Sequence, residues 1–391
     1  MEKILAIAGM LMIVGLTYLS SNKKDEINWK SVGCAFLGQI ILAFLLIKTP
    51  LWKGVEWLSN GVTWLLSQAT EGINFVFGGL VPEGGFVFFI NSLLPIVFIS
   101  SLMGLLFHYG ILQKFIAVVG NTVAKLLGVD TLIAVNGIAN MFMGQTDSLF
   151  ITKSYLPNAK DSVIFATLVG GMTSISTSVV GLYSSMGASI EWIIVSMPLT
   201  VISTFVLTQI MMPTTFSNEE IKIETNDKGI NAIETMMNYA NVAFKTVIGI
   251  TVALLVFLSI VYMVNNFIGL FFKGVTLQSI LGIVFAPLAI LMGVPMPEVA
   301  EVSTMLATKL VTNETVALGL PEFAMLSANT KAMVTVCMMG FAGIGSCGIL
   351  LGAYQVIAPN KVPFVAKVGF KALLCATAVN IMTGGVVGLF L

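Results

Sequence analysis

Charge is scarce in this sequence. Only 10% of its 391 residues are Asp, Glu, Lys or Arg, against about a quarter in soluble domains. Apolar residues make up 57% and the mean hydropathy is +0.97. A chain this apolar cannot cover a water-facing surface, so most of it must face lipid. An excess of either sign is also missing. Nineteen basic residues balance nineteen acidic ones, which leaves no field to attract nucleic acid. Histidine occurs once, as His108, at the end of an apolar run beside Tyr109 and Gly110. That setting predicts a helix-end or interfacial role rather than proton chemistry. The four cysteines (Cys34, Cys337, Cys347, Cys375) lie in apolar runs without C-x-x-C spacing or a neighbouring histidine, so neither a metal nor a redox site is expected.

The motifs of catalysis are absent too. The chain has no Walker lysine motif, nucleophile elbow, H-E-x-x-H or plausible Ser/His/Asp set, so ATP does not drive it directly and an intramembrane enzyme is the weaker alternative. A channel is disfavoured because neither a carbonyl-filter signature nor a ring-forming charge motif appears. The first apolar run, Ile4 to Leu19, lacks a strong basic flank and a small-x-small cleavage site. It is therefore expected to be a retained span rather than a signal peptide.

What is present is a series of long apolar windows. Eight candidate spans fall near 4–20, 31–48, 86–108, 161–183, 190–212, 246–271, 328–354 and 364–390, each close to the ~20 residues a crossing needs. The Trp-rich stretch 53–79 and the Pro-containing stretch 275–294 suit interfacial helices. Two regions, 130–157 and 298–325, are too polar in the middle to cross and too apolar for loops. They are expected to be re-entrant hairpins, since irregular backbone at membrane depth is tolerated only where it lines a cavity. Lys23, Lys24 and Lys30 after the first span and Lys361, Lys367 and Lys371 before the last place both loops in the cytoplasm and both termini outside. The linker 213–235 disagrees mildly, with Glu219, Glu220, Glu224, Asp227 and Glu234 against Lys222 and Lys228.

The two hairpins match. The first carries Gln145-Thr146-Asp147-Ser148 and the second Asn313-Glu314-Thr315; each is followed by a helix with a small-residue interruption, Gly170 to Ser178 and Gly340 to Gly348. Paired broken segments in two halves point to the midplane site of a secondary transporter. Close packing of small residues would account for the glycines but not for an acid and amides beside each gap. An ionised Asp at membrane depth is penalised by roughly 2.5–3.5 kcal/mol, so Asp147 and Glu314 require a wet cavity, a cation or a hydrogen-bonding ligand. Lys153 is expected to snorkel to the interface; Lys309 could pair with an acid or snorkel.

At these residues the sequence resembles the concentrative nucleoside transporter family. Asn140-Met141-Phe142-Met143-Gly144-Gln145-Thr146-Asp147 is similar to its N-x-x-x-G-Q-T-E motif. Gly170-Gly171 to Val179, Lys309 with Asn313-Glu314, Gly340-Phe341-Ala342 and Leu94-Pro95-Ile96 match further motifs in order, from about residue 85 to the C-terminus. The resemblance implies an all-α polytopic membrane protein with eight spans and two re-entrant hairpins in inverted repeats. It implies a sodium-coupled nucleoside importer of elevator type, forming a homotrimer in a bacterial-type inner membrane. The implied division is a scaffold over 1–110, a first transport half over 111–212, a linker and scaffold helix over 213–272 and a second transport half over 273–391. Asn140, Ser174 and the carbonyls of Met143 and Ile175 would hold sodium, oxygen ligands that suit a hard cation; Asn140 could instead simply cap its helix. Gln145, Thr146 and Asp147 would face the nucleobase, Val179 would pack on the ring, Glu314 and Ser346 would take the ribose hydroxyls, and Phe341 would line the pocket.

Three departures stand out. Asp147 replaces the family's Glu, Ser148 and Leu149 replace Ala and Pro, and Gly343 replaces the ribose-binding Asn. Losing that amide leaves room in the site, so a modified nucleoside, a nucleobase or another small polar solute is an alternative cargo, with sodium or proton coupling. A receptor with the same fold and no turnover is a third possibility.

Overall fold

The structure, a computed structural model, describes residues 2–81, 85–215, 220–223 and 230–391. Part of the acid-rich linker (Glu219, Glu224, Asp227 and Lys228) lies outside the described residues. The described residues form helices and connecting turns, with no strand among them.

Three long helices come first: α1 (Glu2–Leu19), α2 (Trp29–Lys48) and α3 (Trp52–Phe77). The Asn28 side chain starts α2 by accepting from Ser31 N at 3.1 Å, which satisfies one orphan donor of the first turn. A short π-helical turn (Phe89–Leu93) leads into α4 (Pro95–His108). Pro95 sits in the first turn, where its missing N–H removes no helical bond. His108 ends α4, and its Nδ1 lies 2.9 Å from the Thr235 hydroxyl, the helix-end role expected for it. Helix α5 (Ile111–Leu127) follows.

The first hairpin is α6 (Thr131–Met143) and α7 (Asp147–Ile151), and the first broken helix is α8 (Asp161–Thr173) and α9 (Val180–Ser185). Then come α10 (Ile190–Met211), α11 (Ala232–Phe271) and α12 (Leu277–Leu291). The second hairpin comprises α13 (Val299–Val311), α14 (Glu314–Leu318) and α15 (Pro321–Met325). The second broken helix is α16 (Ala328–Met338) and α17 (Ile344–Ile357), and α18 (Val362–Gly388) closes the described fold.

Seven helical stretches among the described residues are long and apolar enough to cross a membrane. The expected eighth, 328–354, is two helices of 11 and 14 residues parted at 339–343, each shorter than the ~20 residues of a simple crossing. The break falls at the small-residue interruption expected from Gly340 onward, and it parallels the break between α8 and α9 in the stretch 161–183. The sixth span differs from expectation. It begins at Ala232, not near 246, and runs for 40 residues. Asn231 caps it by accepting from Glu234 N at 2.8 Å, and the Glu234 carboxylate takes the N–H of Ile230, the residue before the cap, at 2.6 Å. Polar residues such as Glu234 and Asn238 lower the hydropathy of those first turns without breaking the helix.

Helices α8 and α10 lie innermost, and α10 is surrounded on all sides, with buried hydroxyls such as Ser203 and Thr204 bonded to Thr383 and Thr173 of its neighbours. Helix α11 lies at the periphery, with Val252, Leu255, Tyr262 and Phe267 exposed. Each hairpin is packed on its own neighbours: α6 on α5 and α8, α13 on α12 and α16. Helix α18 packs on both broken helices, on α8 and on α16 with α17, and so joins the two halves.

Candidate functional site

The tips of the two hairpins and the gaps of the two broken helices meet around one cavity of about 670 Å³. That volume is within the roughly 300–1,000 Å³ of small-molecule sites. All seven residues expected to contact a solute line it: Gln145, Thr146, Asp147, Val179, Glu314, Phe341 and Ser346. The outer wall comes from α4 (Ile96, Ser100, Met103) and α11 (Tyr239, Thr246, Phe257).

The first tip is shaped by Gly144, whose φ of 93° is a left-handed value that favours glycine. A Cβ there would stand 3.3 Å from Ser176 Cβ, so the turn also needs a small residue to meet the gap between α8 and α9. Two hydroxyls close that gap on the hairpin. Ser176 Oγ donates to Phe142 O at 3.1 Å and Thr177 Oγ1 to Met141 O at 2.9 Å. They satisfy carbonyls at the end of α6 that helical N–H groups do not reach. Behind the tip, Asn136 Nδ2 donates to Ser148 O (3.0 Å) and Thr152 Oγ1 (3.3 Å), bracing the two arms.

Asn140 is wholly buried. Its Nδ2 donates to Gly170 O at 2.6 Å and to Ser174 Oγ at 2.8 Å. A carbonyl can only accept, so the amide nitrogen must face Gly170 and the oxygen must face away. That Oδ1 is buried without a donor among the described residues. An unpartnered buried acceptor is destabilising by about 1–3 kcal/mol, and a hard cation would satisfy it. Ser174 is the C-cap of α8, and Ile175 follows it in the gap. Met143 ends α6. The four residues expected to bind an ion thus come from the two segments that Asn140 joins. Gln145 Oε1 is likewise buried with no donor among the described residues.

In the second half, Asn313 caps α14 by accepting from Val316 N at 2.9 Å, which brings Glu314 to the helix N-terminus, where negative charge is favoured. Glu314 is only 6% exposed, and its Oε1 accepts from Tyr183 Oη at 2.7 Å. Ser346 Oγ is turned back onto Phe341 O. Lys309, left open by sequence, neither snorkels nor reaches solvent. It is buried, and its ammonium donates to Cys337 O at 2.7 Å and Asn380 Oδ1 at 3.3 Å.

Tyr183 and Asn380 were missed by sequence reasoning. Asn380 donates to Thr173 O at 2.9 Å and thereby bridges the end of α8 to Lys309. A lone amide in the apolar run of α18 was a signal that could have been used, since polar groups in such runs are penalised unless they have a partner. Nothing in sequence distinguished Tyr183 from the other tyrosines. Removing its hydroxyl by Tyr183→Phe leaves a buried carboxylate oxygen short of a donor, a loss of about 1–3 kcal/mol. A lowered Tm in detergent checks this, and an unchanged Tm would count against the bond.

Comparison with known proteins fits these features. Residues 192–388 match the family described as "Na+ dependent nucleoside transporter C-terminus", and residues 8–80 its N-terminal counterpart. An uncharacterized transporter of Haemophilus influenzae is 32% identical, covering 100% of this chain and 98% of that relative. The nucleoside permease NupC of Helicobacter pylori is 30% identical, with 100% and 98% covered. The structure of CNTnw in an inward-facing substrate-bound state superposes with a TM-score of 0.93 at 31% identity, covering 99% of this chain and 98% of that one. A variant of CNTnw in an outward-facing state gives 0.94 at 30%, covering 100% and 99%. The chain belongs to the concentrative, Na+ dependent nucleoside transporter family, a family of transporters and not of enzymes.

Proposed function

We propose that this protein imports nucleosides by coupling them to sodium, with the two hairpins and broken helices moving together as an elevator. The observation that carries this is the convergence of both hairpin tips and both helix gaps on one cavity, beside a buried Asn140 oxygen that lacks a donor. Sodium would sit against Asn140 Oδ1, Ser174 Oγ and the carbonyls of Met143 and Ile175. Gln145, Thr146 and Asp147 would read the base, Val179 would pack on it, Phe341 would line the pocket, and Glu314 with Ser346 would take the sugar hydroxyls. Charge-assisted acceptors such as Glu314 make the stronger bonds. In this reading the halves are inverted repeats and α8–α9 and α16–α17 each count as one interrupted span, making eight. Helices α3 and α12 lie at the interfaces. Helices α1, α2 and α4 with α11 form the scaffold of a homotrimer in the cytoplasmic membrane, with both termini outside.

One observation favours a second cargo. Gly343 lines the cavity in ordinary extended backbone (φ −133°), so its conformation does not require glycine. A Cβ there would lie 3.3 Å from Lys309 O and 3.4 Å from Thr312 O, a close fit needing shifts of only tenths of an ångström. The missing amide therefore changes recognition more than packing, and a modified nucleoside, a nucleobase or another small polar solute, moved with sodium or a proton, is the second reading. A thermal-shift screen of purified protein against these classes, in sodium or choline, separates the two, because a ligand of the folded state raises Tm by mass action. Sodium-dependent stabilisation by an ordinary ribonucleoside, strengthened in Gly343→Asn, is the expected result. Binding of nucleosides without uptake into proteoliposomes would assign a receptor instead.

A further inference from the structure

Among the described residues Lys309 is the one fully buried lysine, at 4% exposure. It lies two positions before the end of α13, and its ammonium is directed at Cys337 O, one residue before the end of α16. The first half contains the same parts. Asn140 lies three positions before the end of α6 and directs its amide at Gly170 O and Ser174 Oγ, at the end of α8. In both halves, then, a side chain near the end of the long hairpin helix meets the C-terminus of the first segment of a broken helix. Such a terminus carries roughly half a negative charge and carbonyls without helical partners. At membrane depth that charge is poorly screened and attracts a cation.

The halves differ in what they bring to this place. Asn140 covers the end of α8 with a neutral NH2 and turns a bare oxygen away from it, so any positive charge beside that end must arrive from solution. Lys309 brings its own.

We infer that Lys309 is a tethered cation, its ammonium supplying beside the end of α16 the positive charge that an exchangeable inorganic cation supplies near the end of α8. The comparison rests on the sodium reading of the Asn140 site. Lys309 is thereby a positioning residue. Its bond to Cys337 O holds the end of α13 against α16, and the Asn313–Glu314 tip follows directly after that end. Asn380 extends the link, accepting from Lys309 while donating to Thr173 O at the end of α8. Gly340 permits that approach, since a Cβ there would lie 2.7 Å from both polar atoms of the Asn380 amide.

The alternative is that Lys309 only fills space, and chemical rescue separates the two. Lys309→Ala deletes three carbons and the ammonium, the skeleton of n-propylammonium. In substrate-free, detergent-purified full-length protein, Lys309→Ala is expected to lower Tm by about 10 °C. Propylammonium should restore it saturably, while 1-propanol, of equal length and uncharged, should not. Lys309→Met, similar in length but neutral, should melt as low as the alanine variant. Equal rescue by propanol, no rescue by propylammonium, or a wild-type Tm for Lys309→Met would each overturn the proposal. If Lys309→Ala yields no folded protein, Lys309→Arg decides against Lys309→Met. Survival of the arginine variant alone supports a charge role, and equal loss or equal survival of both overturns it. The Tm readout needs no transport, so a wild-type protein that moves no nucleoside would sink the proposed function without deciding this result.

Discussion

Glu314→Gln is expected to reduce nucleoside uptake about 100-fold while leaving a folded, membrane-inserted protein. The carboxylate is buried at the start of α14 and already accepts from Tyr183. Its other acceptor positions are available to ligand hydroxyls on the cavity side. Hydrogen bonds to a charged acceptor contribute about 1.5–3 kcal/mol against about 0.5–1.5 for neutral ones. Two sugar hydroxyls changed from one class to the other lose about 2–3 kcal/mol together, close to two decades in affinity. Glutamine keeps the shape and still accepts from Tyr183, so the fold should survive. Asp147→Asn is expected to act in the same direction. Radiolabelled uptake into proteoliposomes, with elution volume as the folding control, measures both. Wild-type uptake by both variants would remove these acids from the site.

The second large effect concerns the ion. Asn140→Ala removes the buried oxygen that lacks a donor, together with the bonds to Gly170 O and Ser174 Oγ. Uptake driven by a sodium gradient should fall to background, and the Tm increment that sodium gives the wild type should vanish. Ser174→Ala should weaken both effects less, because it deletes one ligand and leaves Asn140 in place. If Asn140→Ala keeps a sodium-dependent Tm, the ion binds elsewhere and Asn140 is only a brace between α6 and α8.

Much of this site was legible in sequence because its parts are local. A hairpin tip needs Gly144 beside Gln145, Thr146 and Asp147 within one turn, and such a cluster is conspicuous in a chain with 10% charged residues. The glycine-rich gaps were legible for the same reason. Averaged hydropathy runs through both broken helices, but the small residues from Gly170 to Ser178 and from Gly340 to Gly348 marked the breaks. Hydropathy missed the polar first turns of α11, which are set by the cap at Asn231. Tyr183 and Asn380 escaped because their partners lie 131 and 207 positions away.

By itself the sequence determined that this chain is built of apolar helices of membrane-spanning length, that two polar segments lie between them, and which polar residues those segments contain. Composition, periodicity and adjacent residues suffice for these, since burial of apolar surface and the satisfaction of local backbone groups act over one helix at a time. Only the tertiary structure decided that both tips share one cavity, that Tyr183 holds Glu314, and that Lys309 is turned inward onto Cys337 and Asn380. Those outcomes depend on which helix ends meet across the two halves. That choice is made by packing and by the need of each buried polar group for a partner, and neither is written in any single segment.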